Sequence, residues 1–128
     1  MKRFLPIVLL LAFCLSASAD PTLPRDIVRE AVLSAQTNKL REFLQFVDLV
    51  AVSNQKDDPM PPQECVSFLK KIDAKALAFP KWEGKPKAGE KFDFTITAPV
   101  RVTFVILCTG FPDGEPRFKI VGLTRHER

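Results

Sequence analysis

The sequence predicts an α+β fold: N-terminal helices packed on one face of a curved, cone-like antiparallel sheet, with one disulfide. Three observations predict it. Apolar residues recur at helical spacing between about residues 24 and 79, then switch to two-residue spacing from Phe92 onward. Helices followed by strands place the helices together on one face of the sheet. Two cysteines, Cys65 and Cys108, fall on the apolar sides of a helix and a strand.

The chain opens on an export segment. Lys2 and Arg3 precede an apolar run from Phe4 to Leu15, broken only by Pro6, and Ala17-Ser18-Ala19 fits cleavage before Asp20. A membrane span needs about 20 apolar residues, more than this run supplies. Lipoprotein processing at Cys14 would want a small residue where Phe13 stands. Residues 1–19 are therefore read as a cleaved signal peptide and 20–128 as one domain, periplasmic or secreted.

Removing the segment leaves 17 Lys and Arg against 15 Asp and Glu, so the mature domain exerts little long-range pull on nucleic acid. Its 109 residues suit one core, with nine Phe, one Trp82 and no Tyr. In an oxidising compartment the even pair Cys65 and Cys108 predicts a disulfide closing a 44-residue loop. Such a closure stabilises by roughly 4 kcal/mol in the chain-entropy account.

The first helix spans about Pro24 to Ala35. Pro24 suits its first turn, and Ile27, Val28, Ala31, Val32 and Ala35 form its apolar stripe. Thr37 or Asn38 is placed to cap a second helix, whose stripe is Leu40, Phe43, Leu44 and Val47. Asp48 ends it and is placed to cap a short apolar turn, Leu49 to Val52. Ser53 to Pro62 reads as a loop. A third long helix is expected from Pro62 to Phe79, with Cys65, Leu69, Ile72, Ala76 and Phe79 on one side and Pro80 as the stop.

Lys81 to Lys91 is a polar connection around Trp82. Phe92, Phe94 and Ile96 then alternate with Asp93, Thr95 and Thr97, which is strand spacing. Val100 to Thr109 forms a second strand, with Val100, Val102, Phe104, Ile106 and Cys108 on one face. Gly110-Phe111-Pro112-Asp113-Gly114 is turn chemistry. Arg117 to Arg125 returns as the last strand, with Gly122 at a bulge. The predicted disulfide would staple the third helix to the inward face of the second strand.

Ala31-Val32-Leu33-Ser34-Ala35, followed by Asn38, Leu40, Phe43-Leu44 and Val47-Asp48, resembles the opening of small exported proteins of the nuclear-transport-factor-two-like superfamily. Gly114 to Leu123 resembles that fold's last hairpin. The resemblance implies a cystatin-like α+β cone. That scaffold serves acid–base isomerases and dehydratases, and also proteins that bind ligands or proteins without chemistry, so the fold does not choose the function.

The residues favour binding over chemistry. His126, the only histidine, sits near the C-terminus and cannot build a metal site alone. Gly-x-Ser-x-Gly, His-Glu-x-x-His and phosphate-cradling glycine loops are missing from the sequence, and no metal or cofactor is expected. Without Tyr, acid–base chemistry through a phenol is excluded. Two carboxylates, Asp48 and Asp93, are the alternative acid–base candidates, since a carboxylate in an apolar pocket has a raised pKa. The favoured expectation is an exported, non-enzymatic binding module taking a small apolar ligand or an envelope protein on the concave sheet face. Phe92, Phe94, Val102, Phe104 and Phe118 would line that face. A third possibility is an envelope inhibitor or assembly protein acting through the basic stretch of Lys81, Lys85, Lys87 and Lys91, diluted by Glu83 and Glu90.

Overall fold

A computed structural model describes residues 21–126; the predicted export segment lies outside them. The order of elements is α1 (Pro24–Gln36), α2 (Leu40–Phe46), α3 (Leu49–Ser53), α4 (Pro62–Lys70), a 3-10 turn (Ala74–Ala76), then β1 (Lys91–Ile96), β2 (Val102–Gly110) and β3 (Arg117–Arg125). The strands form an antiparallel sheet in the order β1-β2-β3. The predicted α+β class is therefore the observed one.

The α1 stripe is buried along its length, and Ile27, Val28, Ala31, Val32 and Ala35 join one core with Phe94, Phe104, Ile106 and Ile120. Alternation along the strands points one side of the sheet into that core. The opposite side carries Thr95, Thr103, Val105 and Leu107, all half-buried.

Two helical expectations need correction. Neither Thr37 nor Asn38 caps α2; Lys39 holds the cap position without a side-chain bond, while Asn38 takes φ of 59° and accepts a bond from Lys70 Nζ at 3.1 Å. The long helix expected to reach Phe79 stops at Lys70. Its terminal carbonyls turn aside to α1: Gln36 Nε2 donates to the carbonyls of Lys70 and Ile72. Asp73 then caps the 3-10 turn by accepting from Lys75 N–H at 3.0 Å. Ala78 beyond it pairs with Ala98.

The Cys65–Cys108 disulfide is not formed; both thiols are buried and free, and not at bonding distance. The register explains why. Glu64, beside Cys65, meets Arg125, and Arg125 lies opposite Val102 at the start of β2. Cys108 lies six residues further along β2, opposite Phe118. At about 3.4 Å per residue Val102 and Cys108 stand roughly 20 Å apart along β2, and Cys65 lies toward the Val102 end, whereas a disulfide wants Cα atoms within about 7 Å. Burial pushes the Cys65 thiol up to about 11. Protein lacking residues 1–19, and with them Cys14, should therefore resist iodoacetamide at pH 8 when native, and should take two alkyl groups by intact-mass analysis when denatured without reduction.

β3 is bulged where Val105 pairs with Gly122 and Ile106 with Ile120, leaving Val121 extra. A Cβ on Gly122 would stand 3.0 Å from Cβ and Cγ2 of Val105 and 3.3 Å from Gln55 Oε1. Gly122→Ala should cost about 1–2 kcal/mol in urea unfolding by forcing these neighbours apart.

The free edge of β3 is closed from the side. Asp48 N–H donates to the Ile120 carbonyl at 2.8 Å. Gln55 behaves as a strand: its Oε1 accepts from Leu123 N–H at 3.1 Å and its Nε2 donates to the Leu123 carbonyl. Asp58 Oδ2 accepts from Arg125 N–H at 2.8 Å. An edge strand left bare is a template for another chain, and these bonds remove it.

Candidate functional site

The inner face of the sheet, expected to line a ligand pocket, is filled by helix side chains. Val102 and Phe104 are fully buried and Phe94 nearly so, all within the common core. Phe92 and Phe118 lie at the far end of that face with Trp82. Trp82 stacks on Phe92 with centroids 5.5 Å apart and meets Phe118 edge-on at 6.0 Å. The five residues do not converge. Phe118 touches an open cleft of about 370 Å³, Phe94 one of about 240 Å³ and Phe92 one of about 100 Å³, the last two both bordered by Trp82.

The alternative carboxylates are also separate. Asp48 accepts from Ala51 N–H at 3.1 Å and so caps α3, beside the β3 edge. Asp93 is exposed on β1, at the opposite edge of the sheet. His126 is exposed and holds Thr103 Oγ1 at 2.7 Å, which meets Thr95 Oγ1 at 2.8 Å on the outer face. Among the described residues no three of His, Cys, Asp and Glu are placed to hold a metal ion. In the basic loop, Lys81 pairs with Glu83 at 3.2 Å, and Lys85, Lys87 and Lys91 are exposed. The half-buried Trp82 folds that loop onto the sheet.

A site that the periodicity concealed lies elsewhere. Leu40, Phe43, Leu44 and Val47 were expected to share one buried stripe. Phe43 and Val47 are buried, but Leu40 is 55% and Leu44 50% exposed. The corner after α2 sets this rotation. Val47 bridges to Ile120, and with the Asp48 cap it fixes both Phe43 inward and the start of α3. Leu40 and Leu44, one turn apart, then form a ridge facing α4. Together with Leu49, Pro62, Gln63 and Val66 they line a groove of about 320 Å³ whose wall presents only apolar surface.

Comparison with protein-family models, curated proteins and solved structures found no significant match. The site is therefore read from its own chemistry. Fully burying a leucine gains about 1.5–3 kcal/mol, and two half-exposed leucines forgo part of that. A contiguous apolar groove in an otherwise ordinary surface marks a place where something else is covered. The signal was present in the sequence: α2, α3 and the corner between them carry Leu40, Phe43, Leu44, Phe46, Val47, Leu49, Val50 and Val52 within 13 residues. That is more apolar bulk than one face of two short helices can turn inward.

Proposed function

We propose that this is an exported, non-enzymatic binding module that holds an apolar stretch of an envelope protein in the groove between α2, α3 and α4. The observation that carries the reading is the exposure of Leu40 and Leu44 over a wall without polar surface. A small-molecule site normally adds a few placed polar groups that fix orientation. A groove with Gln63 as its one polar liner suits side chains from an amphipathic helix, which brings its own backbone already hydrogen-bonded.

Site-specific photo-crosslinking tests the reading. A benzophenone side chain at position 44 should give a discrete protein adduct in the native compartment, and one at exposed Val100 should not. Leu40→Glu should abolish the adduct while changing unfolding free energy by under about 0.5 kcal/mol, as surface substitutions do. Equal adducts from both positions, or an adduct indifferent to Leu40→Glu, would remove the groove from the account.

A further inference from the structure

The two edges of the sheet are treated differently. Side chains and a bridge close β3. Among the described residues no hydrogen bond closes β1 between Lys91 and Thr95, although Phe79 and Trp82 pack on its inward side chains Phe94 and Phe92. Its ladder to β2 shows which groups are open. Cys108 N–H donates to the Glu90 carbonyl at 2.9 Å, and the Cys108 carbonyl accepts from Gly89 N–H at 2.7 Å. Glu90 thus faces β2, and alternation gives Phe92, Phe94 and Ile96 the same role. Lys91, Asp93 and Thr95 direct their N–H and C=O groups away from the sheet. Thr97, next in that series, confirms the direction by donating its N–H outward to the Ala78 carbonyl at 3.2 Å.

The open stretch lacks two of the backbone devices that protect an edge, a bulge and a proline. Pairing from Lys91 to Ile96 runs without a register shift, and the stretch contains no proline. Its side chains on the outer face are Lys91, Asp93 and Thr95, the first two exposed. Opposite charges two residues apart on one face of an edge strand are self-complementary in one antiparallel register. With the two-fold axis at Phe92, Lys91 stands opposite Asp93 of a second copy, and Asp93 opposite its Lys91. Both are positions that exchange backbone hydrogen bonds. With the axis at Asp93, the two aspartates would face each other, which is unfavourable.

We propose that β1 is the seam of a symmetric dimer, in which two copies pair β1 antiparallel about Phe92 and join their three-stranded sheets into one. The partner is a second copy because the charge pattern completes itself. The seam is independent of the groove, which lies among the helices.

Sedimentation equilibrium on the purified full chain tests this, with far-UV circular dichroism to confirm folding of each variant. The wild type should show reversible dimerisation. Lys91→Glu and Asp93→Lys should each weaken it by roughly tenfold or more, because two cross-strand pairs become repulsive together. The double variant K91E/D93K should restore it. Asp93→Asn should weaken the dimer, whereas a register centred on Asp93 would be strengthened. In a mixed labelled and unlabelled sample, an isotope-filtered contact should appear between Hα atoms of Phe92 in the two copies. A monomer at high micromolar concentration, a double variant that fails to recover, or a strengthened Asp93→Asn dimer would overturn the proposal.

Discussion

Phe104→Ala is expected to lower the unfolding free energy by about 4 kcal/mol, within the range for phenylalanine truncation in a core. Phe104 is fully buried on the central strand and is paired with Phe94 on one side and Leu123 on the other. Its ring lies in the common core, and β2 is held in place by ladder bonds to β1 and β3 on both sides. The gap therefore stays open, and the loss adds a cavity cost to the lost transfer energy. Domains of this size are stable by about 5–15 kcal/mol, so the variant should lose a large share of its margin. Urea unfolding followed by the fluorescence of Trp82, the only tryptophan, measures it. Val105→Ala, one residue away on the half-buried outer face, should cost under about 1 kcal/mol. Similar costs at both positions would mean that the inner face is not the core.

The second large effect is expected at Arg125. Its Nε donates to Asp58 Oδ2 at 2.9 Å, its Nη2 bonds Oδ1 of the same carboxylate, and its Nη1 meets Glu64 at 2.8 Å. Its guanidinium lies over the Phe68 ring, 5.7 Å from the centroid. One side chain thus ties the loop after α3, the start of α4 and the end of β3. The side chains of Arg125 and Asp58 keep only 27% and 22% of their exposure, so solvent screens the pair incompletely. Arg125→Ala would leave Asp58 with a single backbone donor, and should cost about 2–3 kcal/mol. The Arg125 side-chain bond holds the Asp58 carboxyl below its ordinary value of 3.8. A depressed carboxylate stabilises the fold above the unfolded value, and the contribution disappears as pH falls through the folded one. The wild type should therefore lose stability below about pH 4 more steeply than Asp58→Asn. Parallel acid-unfolding curves for the two proteins would contradict this role.

The parts of the fold that were legible in the sequence are those set by local pattern. The α1 stripe, the inward side of β1, the Asp48 cap and the limits of β3 all follow from period, capping chemistry and turn residues; β2 was read two residues too early, since it begins at Val102 and Val100 is exposed. The end of α4 was not legible because it depends on Gln36, more than 30 residues away, taking carbonyls that a longer helix would have used. The disulfide was inferred from compartment and parity of cysteines. It failed on packing, since α4 sets Cys65 near Arg125, opposite the start of β2, while Cys108 lies toward the other end of that strand. Asn38 looked like a cap by residue type, yet its left-handed backbone turns it toward Lys70 instead. The groove stayed hidden for a related reason. Helical periodicity shows that Leu40, Phe43, Leu44 and Val47 share a side, but only the Val47–Ile120 bridge decides which half of that side faces inward. Of the residues expected to line the inner face, Phe94, Val102 and Phe104 are buried in the core, whereas Phe92 and Phe118 pack with Trp82.

Methyl chemical-shift mapping with an amphipathic helical peptide selected for binding tests the central claim most directly. Titration should move the methyl signals of Leu40, Leu44, Leu49 and Val66 together, and leave Val102, Ile106 and Leu123 in place. Shifts concentrated at Val102 and Ile106, with the groove leucines unmoved, would show that the sheet interior opens to receive ligand and would contradict the account.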